Sequence, residues 1–173
     1  MSKLVSAQLE KHFGRTDSVV IPNDVDTQIF NSDARLARTS VSRQSLKLDD
    51  SAFVVLLIGN DWKKKGLDQL LRALAFIETP IQLLVVGKDD PGLYRSALQQ
   101  LGLEDRVRFL APSADVLSFY AAADAYIAPS LEDAFGLPIL ETMACGLPVI
   151  ASVQQARAKT SLMEKQDTSC ETQ

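Results

Sequence analysis

From residue 51 onwards the chain alternates short apolar runs with stretches of helical periodicity, and this regularity limits the fold more than any other feature. The apolar runs are Phe53–Ile58, Ile81–Val86, Val107–Leu110, Ala125–Ala128 and Val149–Ala151. Helical patterns separate them at Leu67–Ile77, Leu93–Leu101, Val116–Ala122 and Pro138–Cys145. Such alternation predicts an α/β domain with a doubly wound parallel sheet, helices covering both faces. In that class ligands bind at the carboxyl ends of the strands, so the loops that follow the apolar runs are where a site belongs.

The richest of these loops lies in PSLEDAFGLPILETMACGLP, Pro129 to Pro148. Ala125–Ala128 reads as a buried strand that ends at Pro129, and the loop beyond it carries Glu132 and Asp133. Gly136 allows close backbone approach, and Pro138 suits a first helical turn, where its missing N–H costs nothing. The helix is predicted from about Pro138 to Cys145, with Gly146 just past its end and Leu147–Ala151 as the next strand. Backbone N–H groups near Gly136 and Leu137, at the positive end of the helix dipole, form a seat for phosphate. Carboxylates beside a phosphate repel it. Asp133 and Glu141 therefore point to hydroxyls on a ligand with sugar on both sides of a diphosphate, which is a nucleoside diphosphate sugar. Taken singly, the two acids also fit a surface loop and a glutamate serving the helix dipole.

A second loop, within Leu56–Leu74, follows the first apolar run. Gly59 ends the strand, Asn60 and a basic stretch of Lys63, Lys64 and Lys65 follow, and Gly66-Leu67-Asp68 opens an amphipathic helix. Lys65 is placed to meet a diphosphate; Lys63 and Lys64 fit either a supporting charge or a solvated loop. Gly87 follows the next strand in the same way.

Together these segments resemble family 4 (group 1) glycosyltransferases, the retaining, metal-independent enzymes of the GT-B class. Asp133 to Glu141 is similar to the family's E-x7-E signature, with Asp in place of the first Glu. The resemblance implies that Asp133 lies by the donor sugar as the catalytic position, that Glu141 bonds the ribose, and that Phe135, Gly136 and Leu137 line the diphosphate. It also implies a donor site at Gly59, Asn60, Lys64 and Lys65, although Asn60 stands where most relatives carry an arginine. LGLEDRVRFLAPSADV resembles the segment near the nucleobase and implies base contacts at Leu110 and Ala111. VIPNDVDTQIF, Val20 to Phe30, resembles a linker that usually reads IPNGVD. The implied fold is the Rossmann-like C-terminal half of a GT-B enzyme, with no cofactor or metal and the nucleoside diphosphate sugar as donor substrate.

The chain has 173 residues, 46% of them apolar, enough for one core. Residues 1–152 are expected to form the nucleotide-sugar-binding domain and 153–173 an atypical or disordered tail. A formal charge of −4 and a pI of about 5.0 give no electrostatic footprint for nucleic acid. Cys145 and Cys170 are too few and too far apart for a disulfide framework or a zinc site. The longest apolar runs fall far short of the roughly 20 residues that span a bilayer, and MSKLVSAQLEKHFG lacks a signal-peptide apolar core. These features predict a soluble, cytoplasmic protein, with any membrane association belonging to the absent half of a full-length enzyme.

Ahead of the repeating pattern, Leu4, Leu9 and Phe13 predict a first helix, and Val19–Ile21 a short strand. Asn31–Asp50 reads as a polar helix or loop whose Arg35, Arg38 and Arg43 are solvated. His12 reads as a surface or interface residue, and Tyr120 and Tyr126 as core. Trp62 either covers a ligand or packs.

The expected function is donor binding in a retaining glycosyltransferase of polysaccharide biosynthesis that moves a hexose to a glycan or lipid-linked acceptor. Its partner is a missing N-terminal acceptor domain, without which the chain is expected to be inactive. The competing readings are a non-catalytic nucleotide-sugar-binding module serving a separate acceptor subunit, and a GT-B relative with other chemistry, such as an epimerase. A phosphorylase-like relative would want a pyridoxal-phosphate lysine, which no segment suggests.

Overall fold

Why the strands are apolar at nearly every position, Gln82 and Arg108 apart, becomes clear from what covers them. In a computed structural model, which describes residues 3–19, 23–49, 51–131 and 136–152, five parallel strands form one sheet: β1 (Phe53–Ile58), β2 (Ile81–Val86), β3 (Val107–Leu110), β4 (Ala125–Ala128) and β5 (Val149–Ala151). Their order is β3-β2-β1-β4-β5. On one face Val54, Leu56, Leu84, Val86 and Tyr126 pack with Tyr120, Ile139 and Leu147. On the other, Val55, Leu57, Leu83 and Val85 pack with Leu67, Leu71 and Leu98. Alternate residues of each strand thus enter two separate cores, so neither face tolerates a polar set.

The helices are α1 (Lys3–Phe13), α2 (Ser32–Ser45), α3 (Leu67–Ala75), α4 (Arg95–Leu101), α5 (Leu117–Ala122) and α6 (Leu137–Ala144). α3 shows the logic well: Leu67, Leu70, Leu71 and Leu74 are its buried residues, spaced to make one apolar stripe. Burying each such leucine contributes on the order of 1.5–3 kcal/mol. The pattern Leu93–Leu101 divides into a single 3-10 turn, Pro91–Tyr94, and α4. Asp90 accepts from the Gly92 N–H at 2.8 Å and sets that turn before the α-helix starts. Val19 is in irregular backbone, while Val20 and Ile21 lie outside the described residues.

Segment 31–50 differs from its solvated reading. Asn31 caps α2, its side chain accepting from the Ala34 N–H at 2.8 Å, and α2 then packs against the body. Arg43 is buried and pairs with Asp124 at 2.6 Å, while donating to the carbonyl of Ala52 at 3.2 Å. Arg35 donates to the Cys145 carbonyl at 2.8 Å, at the end of α6. Arg38 forms an exposed pair with Asp115 at 2.9 Å. A helix laid on the sheet's covering layer brings its arginines to carbonyls and acids far along the chain, and no local pattern reveals that. His12 is exposed on α1, and Tyr120 and Tyr126 are buried, as expected.

Candidate nucleotide-sugar site

In this strand order the direction of assembly reverses between β1 and β4, and the carboxyl ends of those two strands are where a doubly wound sheet places its ligand crevice. The β1 exit carries Gly59, Asn60, Lys64 and Lys65; the β4 exit leads to Gly136 and α6. The two loops are fastened together. The Leu131 N–H donates to the Lys64 carbonyl at 2.9 Å. Gly66 has φ +79°, and a Cβ there would lie 2.3 Å from the Pro129 carbonyl oxygen. Only glycine meets both demands, the left-handed backbone and the absent side chain. On the far side, the Ser152 hydroxyl donates to the Ser130 carbonyl at 2.8 Å, which ties in the β5 exit.

Lys65 runs back across the end of β1: a Cβ on Gly59 would sit 2.7 Å from Lys65 Cε. Gly59 therefore leaves room for the lysine stem to lie over the strand end. Lys64 points elsewhere, pairing with Asp61 at 2.9 Å with both side chains exposed. That contact, with the Lys64 hydrogen bond foremost, holds the Asp61 carboxyl below its usual range. Asn60 is exposed, and its side-chain oxygen accepts from the Lys88 N–H at 3.1 Å. Asp89 in turn accepts from the Trp62 N–H at 2.7 Å, so the β1 and β2 exits form one ledge.

Trp62 is packing, at 1% exposure, with Tyr94 and Phe109 rings 5.9 and 4.9 Å away. Leu110 passes its carbonyl to the Gly87 N–H at 3.1 Å, and Ala111 is exposed just beyond β3.

On the β4 side, Gly136 is buried and caps α6 with φ +47° and ψ +41°; Leu137, the first helical residue, is exposed. The helix runs one residue earlier than Pro138–Cys145, because Pro138 takes the second position. Glu141, one turn in, is partly buried and accepts a 2.5 Å hydrogen bond from the Tyr120 hydroxyl. Sequence reasoning missed Tyr120 as a member of this site; in the chain it is one apolar residue among many in α5. Asp133 and Phe135 lie outside the described residues. Among the described residues no cluster of His, Cys, Asp and Glu has the makings of a metal site, and no helix is long and apolar enough to cross a membrane.

A cavity of about 510 Å³ sits at the opposite edge of the sheet, lined by Asp49, Glu78, Gln82 and Asp105 with Arg106. Its arginine is already held by the carbonyls of Ile77, Thr79 and Ile81 at 2.9, 3.1 and 3.3 Å. This space is a gap in the base of the fold, remote from the crevice.

A five-stranded parallel sheet with helices on both faces and a topological switch between β1 and β4 defines a Rossmann-like α/β protein. The sequence profile of "Glycosyl transferases group 1" matches residues 39–167, and the chain belongs to that family of GT-B glycosyltransferases. The match runs past residue 152, the expected end of the domain, into the expected tail. The lipopolysaccharide glucosyltransferase WaaG of Escherichia coli (strain K12) is 31% identical over 116 residues, covering 65% of this chain and 31% of its own. The solved structure of WaaG superposes with a TM-score of 0.81 at 23% identity, over 94% of this chain and 46% of that one. The D-inositol 3-phosphate glycosyltransferase of Rhodococcus jostii (strain RHA1) is 34% identical over 163 residues, covering 85% of this chain and 35% of its own. Anabaena Alr3699/HepE, solved in complex with UDP and glucose, superposes with a TM-score of 0.80 at 28% identity, over 90% of this chain and 44% of that one. The chain thus spans about a third of the length of the curated relatives it matches.

Proposed function

We propose that this chain is the C-terminal, donor-binding domain of a retaining glycosyltransferase that moves a hexose from a nucleoside diphosphate sugar to a glycan or lipid-linked acceptor. The observation that supports the reading is the fastening of the Lys65 turn to the β4 exit through Gly66 and Pro129, since the β4 exit is the segment that leads on to α6. Lys65 and the α6 start stabilise the charge that develops on the departing diphosphate, without a divalent cation. Glu141 accepts from the ribose hydroxyls, and Asp133 positions the donor sugar. Charge-assisted bonds of this kind contribute on the order of 1.5–3 kcal/mol each. HepE's complex with UDP and glucose makes UDP the first nucleotide to test.

Transfer also needs an acceptor hydroxyl held against the anomeric carbon in a closed cleft. A single sheet supplies one wall of that cleft; the acceptor half supplies the other, so the isolated chain binds donor and transfers little. The reaction is cytoplasmic, and any attachment to a membrane surface belongs to the acceptor half.

Asn60 favours a second reading. Its side chain is tied to the Lys88 N–H and carries no charge where relatives place an arginine, which suits a binding module serving a separate catalytic partner.

The test is calorimetric titration of the chain with UDP, GDP and ADP, repeated on Lys65→Ala and Glu141→Ala. One nucleotide should bind, and each substitution should weaken it about tenfold or more. No binding of any of the three overturns the proposal. Binding without turnover after addition of an acceptor domain and UDP-glucose selects the module.

A further inference from the structure

We propose that Tyr120 is a positioning residue for the nucleotide site: its hydroxyl fixes the Glu141 carboxylate in the orientation that receives the ribose diol. This rests on the donor-site reading above and deepens it.

Glu141 has a long side chain at a partly buried position of α6, and an unrestrained glutamate there would sample several rotamers. Tyr120 prevents that. It is 0% exposed, its ring is held edge-on by Phe30 and Tyr126 with centroids at 6.0 and 6.5 Å, and its hydroxyl reaches Glu141 Oε2 at 2.5 Å. Tyr126 is anchored in turn, its hydroxyl donating to the Ile58 carbonyl at 3.3 Å, at the end of β1. A chain of aromatic contacts therefore runs from the β1 exit to the carboxylate on α6. Both walls of the crevice share it.

The direction of the bond is settled by chemistry. A carboxylate accepts, and burial together with the Glu141 hydrogen bond pushes the Tyr120 phenol far above its ordinary range, so the phenol stays a donor at any pH the protein survives. One phenolic proton occupies one lone pair of Oε2. Oε1 and the remaining lone pairs are left for donors, which is what a pair of vicinal hydroxyls presents. Short hydrogen bonds to a charged acceptor are the stronger, more directional kind.

The experiment pairs two variants with two ligands. Whichever of UDP, GDP and ADP binds is titrated beside its 2′,3′-dideoxy counterpart into wild type, Tyr120→Phe and Glu141→Gln. Wild type should prefer the ribose form. Tyr120→Phe should weaken the ribose form about fivefold to tenfold and leave the dideoxy form unchanged; a purely structural role would weaken both equally and overturns the proposal. If Glu141→Gln abolishes the preference while Tyr120→Phe keeps it, Tyr120 is no positioner and the site reading stands. If Glu141→Gln keeps the preference, the ribose role of Glu141 falls, and this proposal with it. A readout independent of folding of the variant is the Tyr120 hydroxyl proton of the wild type by NMR. It should resonate downfield and move with the ribose ligand only; a resonance indifferent to both ligands counts against the proposal.

Discussion

The two edges of the sheet use positive charge in opposite ways. At the amino edge, Arg43 and Arg106 are locked into carbonyls and, for Arg43, into Asp124, whose Oδ2 also accepts from the Val54 N–H at 2.7 Å. There the guanidinium fork stitches α2, β1 and β4 together by multidentate hydrogen bonding. At the carboxyl edge the cations are lysines on a tight turn, and the fastening is done by backbone and by absent side chains, Gly66 against Pro129 and Gly59 beneath Lys65. The difference teaches where a parallel sheet can hold a ligand. At the amino edge side-chain charge does the fastening, whereas at the carboxyl edge backbone groups and glycines do it, which is the arrangement the proposed donor site relies on.

The largest effect that would break this contrast is at the amino edge. Arg43→Ala leaves the partly exposed Asp124, beside the start of β1, without its cation and removes a buried guanidinium held by carbonyls, and the expected loss is about 2–3 kcal/mol of stability by urea denaturation. Nucleotide affinity of the folded fraction should not change. A loss of affinity at unchanged stability would mean that the two edges are not separable.

Gly66→Ala comes next. It forces a left-handed backbone on alanine and drives a Cβ against the Pro129 carbonyl, so it should destabilise by about 2–3 kcal/mol. Because the same contact sets the β1 exit turn against the β4 exit, ligand affinity should fall as well, which Arg43→Ala should not cause. Full affinity in Gly66→Ala would show that the fastening does not shape the site.

The smallest effect sharpens the lysine assignment. Lys64 and Asp61 form an exposed pair, worth roughly 0–1 kcal/mol, so Lys64→Ala should barely alter stability or nucleotide binding. A loss at Lys64 equal to that at Lys65 would show that both cations meet the ligand and that the Asp61 pair gives way to it.

Most of the sheet was legible beforehand. β1 to β5 fall within the limits read from the sequence because burial on two faces makes most of their positions apolar, a local signal that survives without partners. The helix after β4 was displaced by one residue, since the side chain of Pro138 suits either of the first two helical positions. Lys65 and Glu141 were legible as candidates from glycine placement and chemistry. Tyr120 was not, because its phenol meets a carboxylate 21 positions later and its own neighbourhood reads as plain core. Arg38 is exposed, as its solvated reading requires, but Arg35 and Arg43 are not, for the same reason: Arg43 and Asp124 are 81 positions apart.

By itself, then, the sequence determined the class of fold, the five strands and the turns that bear candidate phosphate contacts, because hydrophobic period and glycine or proline placement are local properties. Only the tertiary structure decided the strand order, the fastening of the β1 and β4 exits, the commitment of Asn60 and Lys64 to protein partners and the hold of Tyr120 on Glu141. Apart from the local Lys64–Asp61 pair, those depend on which surfaces the chain brings together across long separations, and a hydrogen bond such as the 2.5 Å one from Tyr120 to Glu141 leaves no mark on the residues that flank its ends.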